Sequence, residues 1–172
     1  KNNGLIISFD PNLRPPLWKS LDDARNQIAY GLSQCDVLKI SDNEIEFMTG
    51  TSDFDKGANI LMERYPNIKL LNITVGADGS YSYYREIRAY VPSYLLGGTI
   101  DTTGAGDTFC GSVLNYLLDH DLENLSKENL IEMLQIANAA AYLVTTKKGA
   151  IRSMPDPKDV QKVVNNNYIR ED

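Results

Sequence analysis

Three short apolar runs constrain this chain more than any other feature: LIISF at Leu5–Phe9, VLKI at Val37–Ile40 and LLNITV within residues 69–75. Runs this short and this continuously apolar read as strands buried on both faces, which is the situation of a parallel strand covered by helices. Helical spacing of apolar residues follows the first two runs, over 20–33 and then over 42–49 and 53–64. Such alternation predicts an open, mostly parallel α/β sheet with strands at 5–10, 37–40 and 69–75. Two shorter strands are predicted near 80–84 and 87–91, because SYSYYREIRAYV alternates small or polar residues with Tyr and Val around a central Arg85-Glu86. That hairpin is an antiparallel edge feature. It interrupts the parallel order just before three further predicted helices, about 104–119, 126–145 and 156–166.

The 172 residues, 42% hydrophobic and 23% charged, suffice for one domain with a real core. We expect a single partial domain over 1–172, because KNNGLIISF begins without Met and enters a buried-type strand with no partner strand before it. The expectation is that residues precede it in the native protein. Asn165-Asn166-Asn167 and the terminal acids read as a fraying end. A net charge of −6 argues against nucleic acid or an acidic membrane surface as the main partner. Cys35 and Cys110 lie in unrelated contexts without a CxxC or a Cys/His cluster, and read as reduced thiols of a cytosolic protein. No apolar run approaches the length of a membrane span, and neither a membrane segment nor a signal peptide is expected.

In open α/β sheets, ligands bind beyond the carboxyl ends of the strands. Four such places carry polar residues: Asp10-Pro11-Asn12-Leu13-Arg14, Ser41-Asp42-Asn43-Glu44-Ile45-Glu46, Thr74-Val75-Gly76-Ala77-Asp78-Gly79-Ser80, and Asp101-Thr102-Thr103-Gly104-Ala105-Gly106-Asp107. Each also has a plain structural explanation. Asp-Pro-Asn is a common turn, SDNEIE can be an N-cap with first-turn acids, and GADG can be a glycine turn. DTTGAGD opens the helix predicted at 104–119, so Asp107 can be a first-turn acid complementing the helix dipole. What favours chemistry is their convergence on one sheet edge, since glycine turns let backbone N–H groups approach phosphate and a carboxylate beside an amide can hold hydrated Mg²⁺.

Several reaction classes are excluded. The sequence has no GxxxxGK[ST], no GxGxxG and no GxSxG. Its single histidine, His120, follows a helix end, where it suits the C-terminal dipole better than catalysis.

DTTGAGDTFCGSVL resembles the second signature of the ribokinase-like, or PfkB, sugar kinases, with Ser112 where Ala or Gly is more usual. NEIE is similar to that family's N-x-x-E motif and TVGADG to its T-x-G-x-x-G nucleotide loop. Asn138-Ala139-Ala140-Ala141 with TTKKGAIRSMP resembles its adenine-side helix and following loop, and SFDPNLRPPLW with LKISDNEIEFMTG resembles the bacterial fructokinase subgroup. The likeness runs along essentially the whole chain in the right order.

The resemblance implies a three-layer α/β/α ribokinase-like fold, of which this chain is the C-terminal portion, the N-terminal strands and the small β lid lying upstream. It implies transfer of the γ-phosphoryl group of ATP to a primary sugar hydroxyl, with Asp107 as general base and the N–H groups of Gly104, Ala105, Gly106 and Asp107 as an anion hole. By similarity, Asn43 and Glu46 order Mg²⁺ through water, Thr74, Gly76 and Gly79 line the nucleotide phosphates, and Asn138 lies near adenine. Asp101 and Thr103, with carbonyls of Val144, Lys147 and Gly149, match positions where relatives hold a monovalent cation such as K⁺. Arg14 meets the sugar or the phosphoryl group, and Asp10 and Asn12 are further substrate-side candidates.

ATP and a small sugar are thus the implied partners, with no nucleic acid, no membrane, and a homodimer admitted for the full-length protein. Fructose is the favoured acceptor; 2-keto-3-deoxygluconate, ribose and a nucleoside stay open, as does a non-catalytic α/β binding module. Without lid and sugar ligands, the 172 residues alone are expected to be inactive.

Overall fold

In the computed structural model, residues 4–166 are described. Asn167 and the terminal acids, to which the fraying-end expectation extends, lie outside them. The elements are β1 (Ser8–Phe9), α1 (Leu21–Gln34), β2 (Val37–Ser41), α2 (Asp42–Thr49), α3 (Phe54–Arg64), β3 (Leu70–Thr74), β4 (Ser80–Tyr84), β5 (Ile87–Val91), α4 (Ala105–Asp119), α5 (Lys127–Thr145) and α6 (Pro157–Asn165), with short 3₁₀ turns at Pro15–Leu17, Gly76–Asp78 and Ile151–Ser153. The strands neighbour one another in the order β1-β2-β3-β4-β5. The described residues pack as two compact units, one made up to residue 74 with 83–86, the other of 75–82 with the residues from 87 onward.

In the first unit β1, β2 and β3 run parallel, with Ser8 opposite Val37 and the five residues of β2 opposite Leu70–Thr74 in unbroken register. Val37, Leu38, Ile40, Leu70, Leu71 and Ile73 are all essentially inaccessible, as strands apolar on both faces require. Ser20 caps α1 by accepting from the Asp23 N–H, and Ala24, Ile28 and Leu32, one per turn, form its buried stripe. Gly31 lies so close to Phe9 that a Cβ there would fall 2.5 Å from the ring, so the Phe9 ring packs directly on the helix backbone. Asp53 caps α3 in the same manner as Ser20 caps α1.

The first predicted strand is shorter than its sequence suggests. Leu5 and Ile6 are 69% and 53% exposed, and only Ser8 and Phe9 form strand. The reason is the closure of the ladder at Asp36: its carboxylate accepts from the Ile7 N–H at 2.9 Å, while the Asp36 and Val37 N–H groups both converge on the Ile7 carbonyl. Residues ahead of that knot have no β2 partner.

In the second unit, α4 and α5 pack on each other, and α5 also packs on β5 and α6. Tyr94, Ala139, Ala140, Val160 and Val163 form the core between α5, α6 and the segment after β5. Ser126 and Asn129 form a reciprocal capping box at the start of α5. The Arg85-Glu86 turn joins β4 to β5 in two residues, with Arg85 at φ 50°, as a tight antiparallel hairpin requires.

One side chain ties the end of α1 to the sheet-side loop: the Asn67 amide donates to the Leu32 carbonyl at 2.8 Å and the Cys35 carbonyl at 2.6 Å. Those carbonyls belong to the last turn of a helix and have no helical donor. Asn67→Ala should therefore lower unfolding free energy by ~1–2 kcal/mol, or roughly 2–8 °C in the melting midpoint of a chain this size. A midpoint unchanged in differential scanning calorimetry would show that water replaces this cap at no cost.

Candidate active site

In the second unit, the loop from β5 to α4 is built around Asp101. Its Oδ1 accepts from the Thr103 N–H at 2.9 Å and its Oδ2 from the Gly149 N–H at 3.0 Å. Ile100 and Asp101 then donate their own N–H groups to the Thr145 carbonyl at 2.8 and 3.1 Å. This joins the DTTGAGD loop to the end of α5 and to the loop after it. Hydrogen bonds from Thr103 and from the Gly149 backbone lower the Asp101 carboxyl to about 2.

The chain then enters α4 through Gly104, at φ 84° and ψ 0°, which offers no side-chain cap. A Cβ there would lie 2.9 Å from the Ala150 Cβ, so both the left-handed backbone and the closeness of the 149–150 loop call for glycine. The Ala105 N–H turns back to the Thr102 carbonyl and the Thr108 N–H begins the helical series on Gly104. Between them the N–H groups of Gly106 and Asp107 have no intrahelical acceptor, at the positive end of a 15-residue helix. Asp107 itself is exposed on the first turn. Ser112 back-bonds to the Thr108 carbonyl at 2.8 Å.

A recess of about 260 Å³ adjoins this helix start, lined by Gly76, Ala77, Thr102, Ala105, Ala141 and Thr145 among others. It unites residues from the TVGADG loop, the DTTGAGD loop and the alanine-rich stretch of α5. A wider, mostly apolar cavity of about 550 Å³ has Asp107 on its wall, with Gly111, Asn115, Ile136, Met154 and Val160.

Two predicted residues of this unit are held by the protein itself. Asn138 is buried: its Oδ1 accepts from the Ser80 hydroxyl at 2.9 Å, and its Nδ2 donates to the Val91 and Pro92 carbonyls at 3.0 and 3.2 Å. Gly79, at φ 115°, has the Pro92 Cα 2.7 Å from where a Cβ would stand. Val144 and Lys147 lie at the C-terminal end of α5, next to the Thr145 carbonyl that receives Ile100 and Asp101.

In the first unit, the predicted residues fall into two groups. Asn43 and Glu46 are exposed on α2, and Thr74 ends β3 opposite Ser41. Asp10, Asn12 and Arg14 form a turn after β1, in which Asp10 accepts from the Asn12 N–H at 3.1 Å and Arg14 donates to the Leu13 carbonyl at 3.1 Å. Sequence reading missed the residues that hold this turn. Glu44, buried, accepts from the Leu13 N–H at 2.6 Å with one oxygen and from the Ser41 N–H at 2.8 Å with the other, and Ser41 accepts from the Glu44 N–H. Lys39, 7% exposed, reaches the Asp10 carboxylate at 3.1 Å. The capping-box spacing of Ser41 and Glu44 directly after a strand was the legible signal for the first; a lone polar residue inside VLKI was the signal for the second.

No group of three or more His, Cys, Asp or Glu suited to a metal ion occurs among the described residues. A divalent ion here would be held by phosphate oxygens and water as much as by protein, which exposed Asn43 and Glu46 side chains fit. A carboxylate kept ionised beside the carbonyl end of α5 is likewise a donor set that suits a monovalent cation.

Residues 1–157 match the family model described as pfkB family carbohydrate kinase. The chain is 40% identical over 155 residues to a protein named "Probable fructokinase-2" from Arabidopsis thaliana, covering 90% of this chain and 46% of that one. It is 38% identical over 164 residues to fructokinase-1 of Zea mays, covering 95% of this chain and 50% of that one. Among solved structures, fructokinase from Vibrio cholerae O395 in a form with fructose, ADP and calcium ion bound superposes with a TM-score of 0.82 at 29% identity, over 92% of this chain and 50% of that chain. A double mutant of that enzyme was solved with fructose, ADP and potassium ion. The chain spans about half the length of these relatives. Sequence, fold and the Gly-Ala-Gly-Asp helix start agree, and the chain belongs to the pfkB family of carbohydrate kinases.

Proposed function

We propose that this chain carries the nucleotide-binding and phosphoryl-transfer residues of an ATP-dependent sugar kinase whose acceptor is a primary hydroxyl of fructose. The observation that carries the reading is Asp107, uncommitted on the first turn of α4, beside N–H donors that no protein group uses and a recess shared by Gly76 and Ala105. Fructose is favoured by the identity of the relatives rather than by any sugar contact in these residues.

In this mechanism the Asp107 carboxylate takes the proton of the sugar hydroxyl as its oxygen forms a bond to the γ-phosphorus and the bond to the ADP oxygen breaks. The Gly106 and Asp107 N–H groups, with the α4 dipole, stabilise charge on the transferring group. Gly76 leaves the turn after β3 open to nucleotide phosphates, and Arg14 takes the substrate-side anion. Asn43 and Glu46 would hold magnesium through water, and the bound ion would neutralise charge on the phosphates. Asp101, Thr103 and the carbonyls of Val144, Lys147 and Gly149 would hold a monovalent cation that sets the shape of the loop. Asn138 and Gly79 act on the nucleotide side by fixing the backbone of residues 79–92. Reduced Cys35 and Cys110 suit a cytoplasmic setting.

The reading is tested first on the 172-residue chain. ATP with Mg²⁺ should bind measurably by calorimetry, while a coupled assay with fructose, ribose and 2-keto-3-deoxygluconate should detect no appreciable turnover, because an alignment advantage that can reach ~7 kcal/mol or more needs the sugar held in place. Robust turnover by a 172-residue monomer would contradict the second half; absence of nucleotide binding would remove the whole reading.

In the protein extended to the length of its relatives, Asp107→Asn should lower kcat by ~10²–10⁴ with little change in ATP affinity. Retention of more than about a tenth of wild-type turnover would exclude Asp107 as the base.

Asp101 gives a pH signature. Its folded carboxyl titrates near 2, below the ordinary value of about 3.9. A depressed acid stabilises the folded loop fully above its unfolded value, and that contribution fades only as pH falls from about 4 toward 2. The Gly149 amide resonance should therefore be flat from pH 7 to about 4 and move with a midpoint near 2; a midpoint near 4 would mean the clasp is not formed in solution.

A further inference from the structure

Lys39 is the residue of β2 that the fold explains least. It stands third in a strand, among the inaccessible and apolar Val37, Leu38 and Ile40, and its register partner is Asn72, whose amide is fully buried with neither Nδ2 nor Oδ1 hydrogen-bonded. Its Nζ has the Asp10 carboxylate at 3.1 Å, and both side chains are largely withdrawn from water, at 9% and 16% exposure. A buried ion pair is a poor source of stability, because desolvation offsets the attraction. Burial indeed raises the Asp10 carboxyl above its ordinary value, outweighing the Lys39 charge that lowers it. The pair is better explained by what it holds.

Asp10 uses Oδ2 for Lys39 and Oδ1 for the Asn12 N–H. Asn12 sits at φ 46°, a left-handed conformation that a non-glycine residue keeps only under local constraint. The next N–H, that of Leu13, is taken by Glu44, itself anchored to Ser41 at the head of α2. Two successive backbone donors are thus gripped by two carboxylates from different elements, and the residue that follows is the exposed Arg14.

We propose that Lys39 is a positioning residue: by fixing Asp10 it sets the left-handed turn at Asn12, and with it the direction in which Arg14 is offered to the phosphoryl-bearing substrate. The role of Arg14 rests on the function proposed above; the turn itself does not. Lys39 never touches substrate.

The test compares the wild-type chain with Lys39→Met, Lys39→Arg and the neutral pair Asp10→Asn/Lys39→Met, which keeps a side-chain carbonyl for Asn12 and leaves no unpaired buried charge if the single variant fails to fold. Hydrogen exchange is followed at each amide, and affinity for a non-hydrolysable ATP analogue with Mg²⁺ is measured with and without Arg14→Ala. Exchange at Asn12 and Leu13 should rise by about tenfold or more in the neutral pair while β2 and β3 amides stay within about twofold; Lys39→Arg should restore protection. Analogue affinity should fall by the same factor in Arg14→Ala and in the neutral pair, and no further when they are combined, as for residues acting in series. Unchanged exchange at Asn12 and Leu13, or a uniform rise across the unit, overturns the positioning role. Additive losses of affinity overturn the route through Arg14. If the wild-type chain binds no nucleotide, the proposed function fails and the Arg14 step with it, while the exchange arm still decides whether Lys39 sets the turn.

Discussion

The second unit depends on one carboxylate that is given away entirely. Its two oxygens accept from Thr103 and from Gly149, and so the Asp101 side chain ties the entry to α4 to a loop almost fifty residues later. The Thr145 carbonyl doubles the seam by taking the Ile100 and Asp101 N–H groups. With the loop held from that side, the chain turns at Gly104 without a capping side chain, and the first-turn donors of α4 are not consumed. Capping by Ser or Asp at position 104 would satisfy the helix end and close it to an anion at the same time.

The first unit shows the converse arrangement. Ser41 and Glu44 form a complete capping box at α2, and that box reaches beyond its own helix to seize Leu13. Glu44 therefore works as a structural clamp at the same strand end where sequence motifs suggested a ligand-facing acid. Asn43 and Glu46, one residue before and two after it, stay at the surface. Within one short helix, the inward Glu44 organises backbone and the outward Asn43 and Glu46 remain exposed.

The architecture was largely legible because buried parallel strands leave so plain a pattern. VLKI and LLNIT appear as β2 and β3, and the Arg85-Glu86 hairpin lies where alternation placed it. LIISF was overread because composition alone does not reveal where pairing stops; the Asp36 knot that limits β1 is a side-chain contact. The site was legible as motifs and not as bonds. DTTGAGD announced a helix start open to anions, yet nothing in the letters Asn138 says that its amide is spent on Ser80, Val91 and Pro92. Lys39 was passed over because a single polar residue in a short strand is consistent with any register.

Four acids near strand ends or helix starts invite a catalytic role, and their commitments separate them. Asp10 is shared between Lys39 and the Asn12 N–H, Glu44 between Leu13 and Ser41, and Asp101 between Thr103 and Gly149. A carboxylate oxygen that already accepts from a backbone N–H is a weaker base, because that bond stabilises the charged form and must be disturbed for the proton to arrive. No described residue makes a hydrogen bond or ion pair to the Asp107 side chain. Of these four, three are spent on holding loops, and Asp107, at the positive end of α4, keeps both oxygens available. Under the proposed mechanism Asp107 accepts a proton from a substrate hydroxyl, and that lack of internal partners is the property such a base requires.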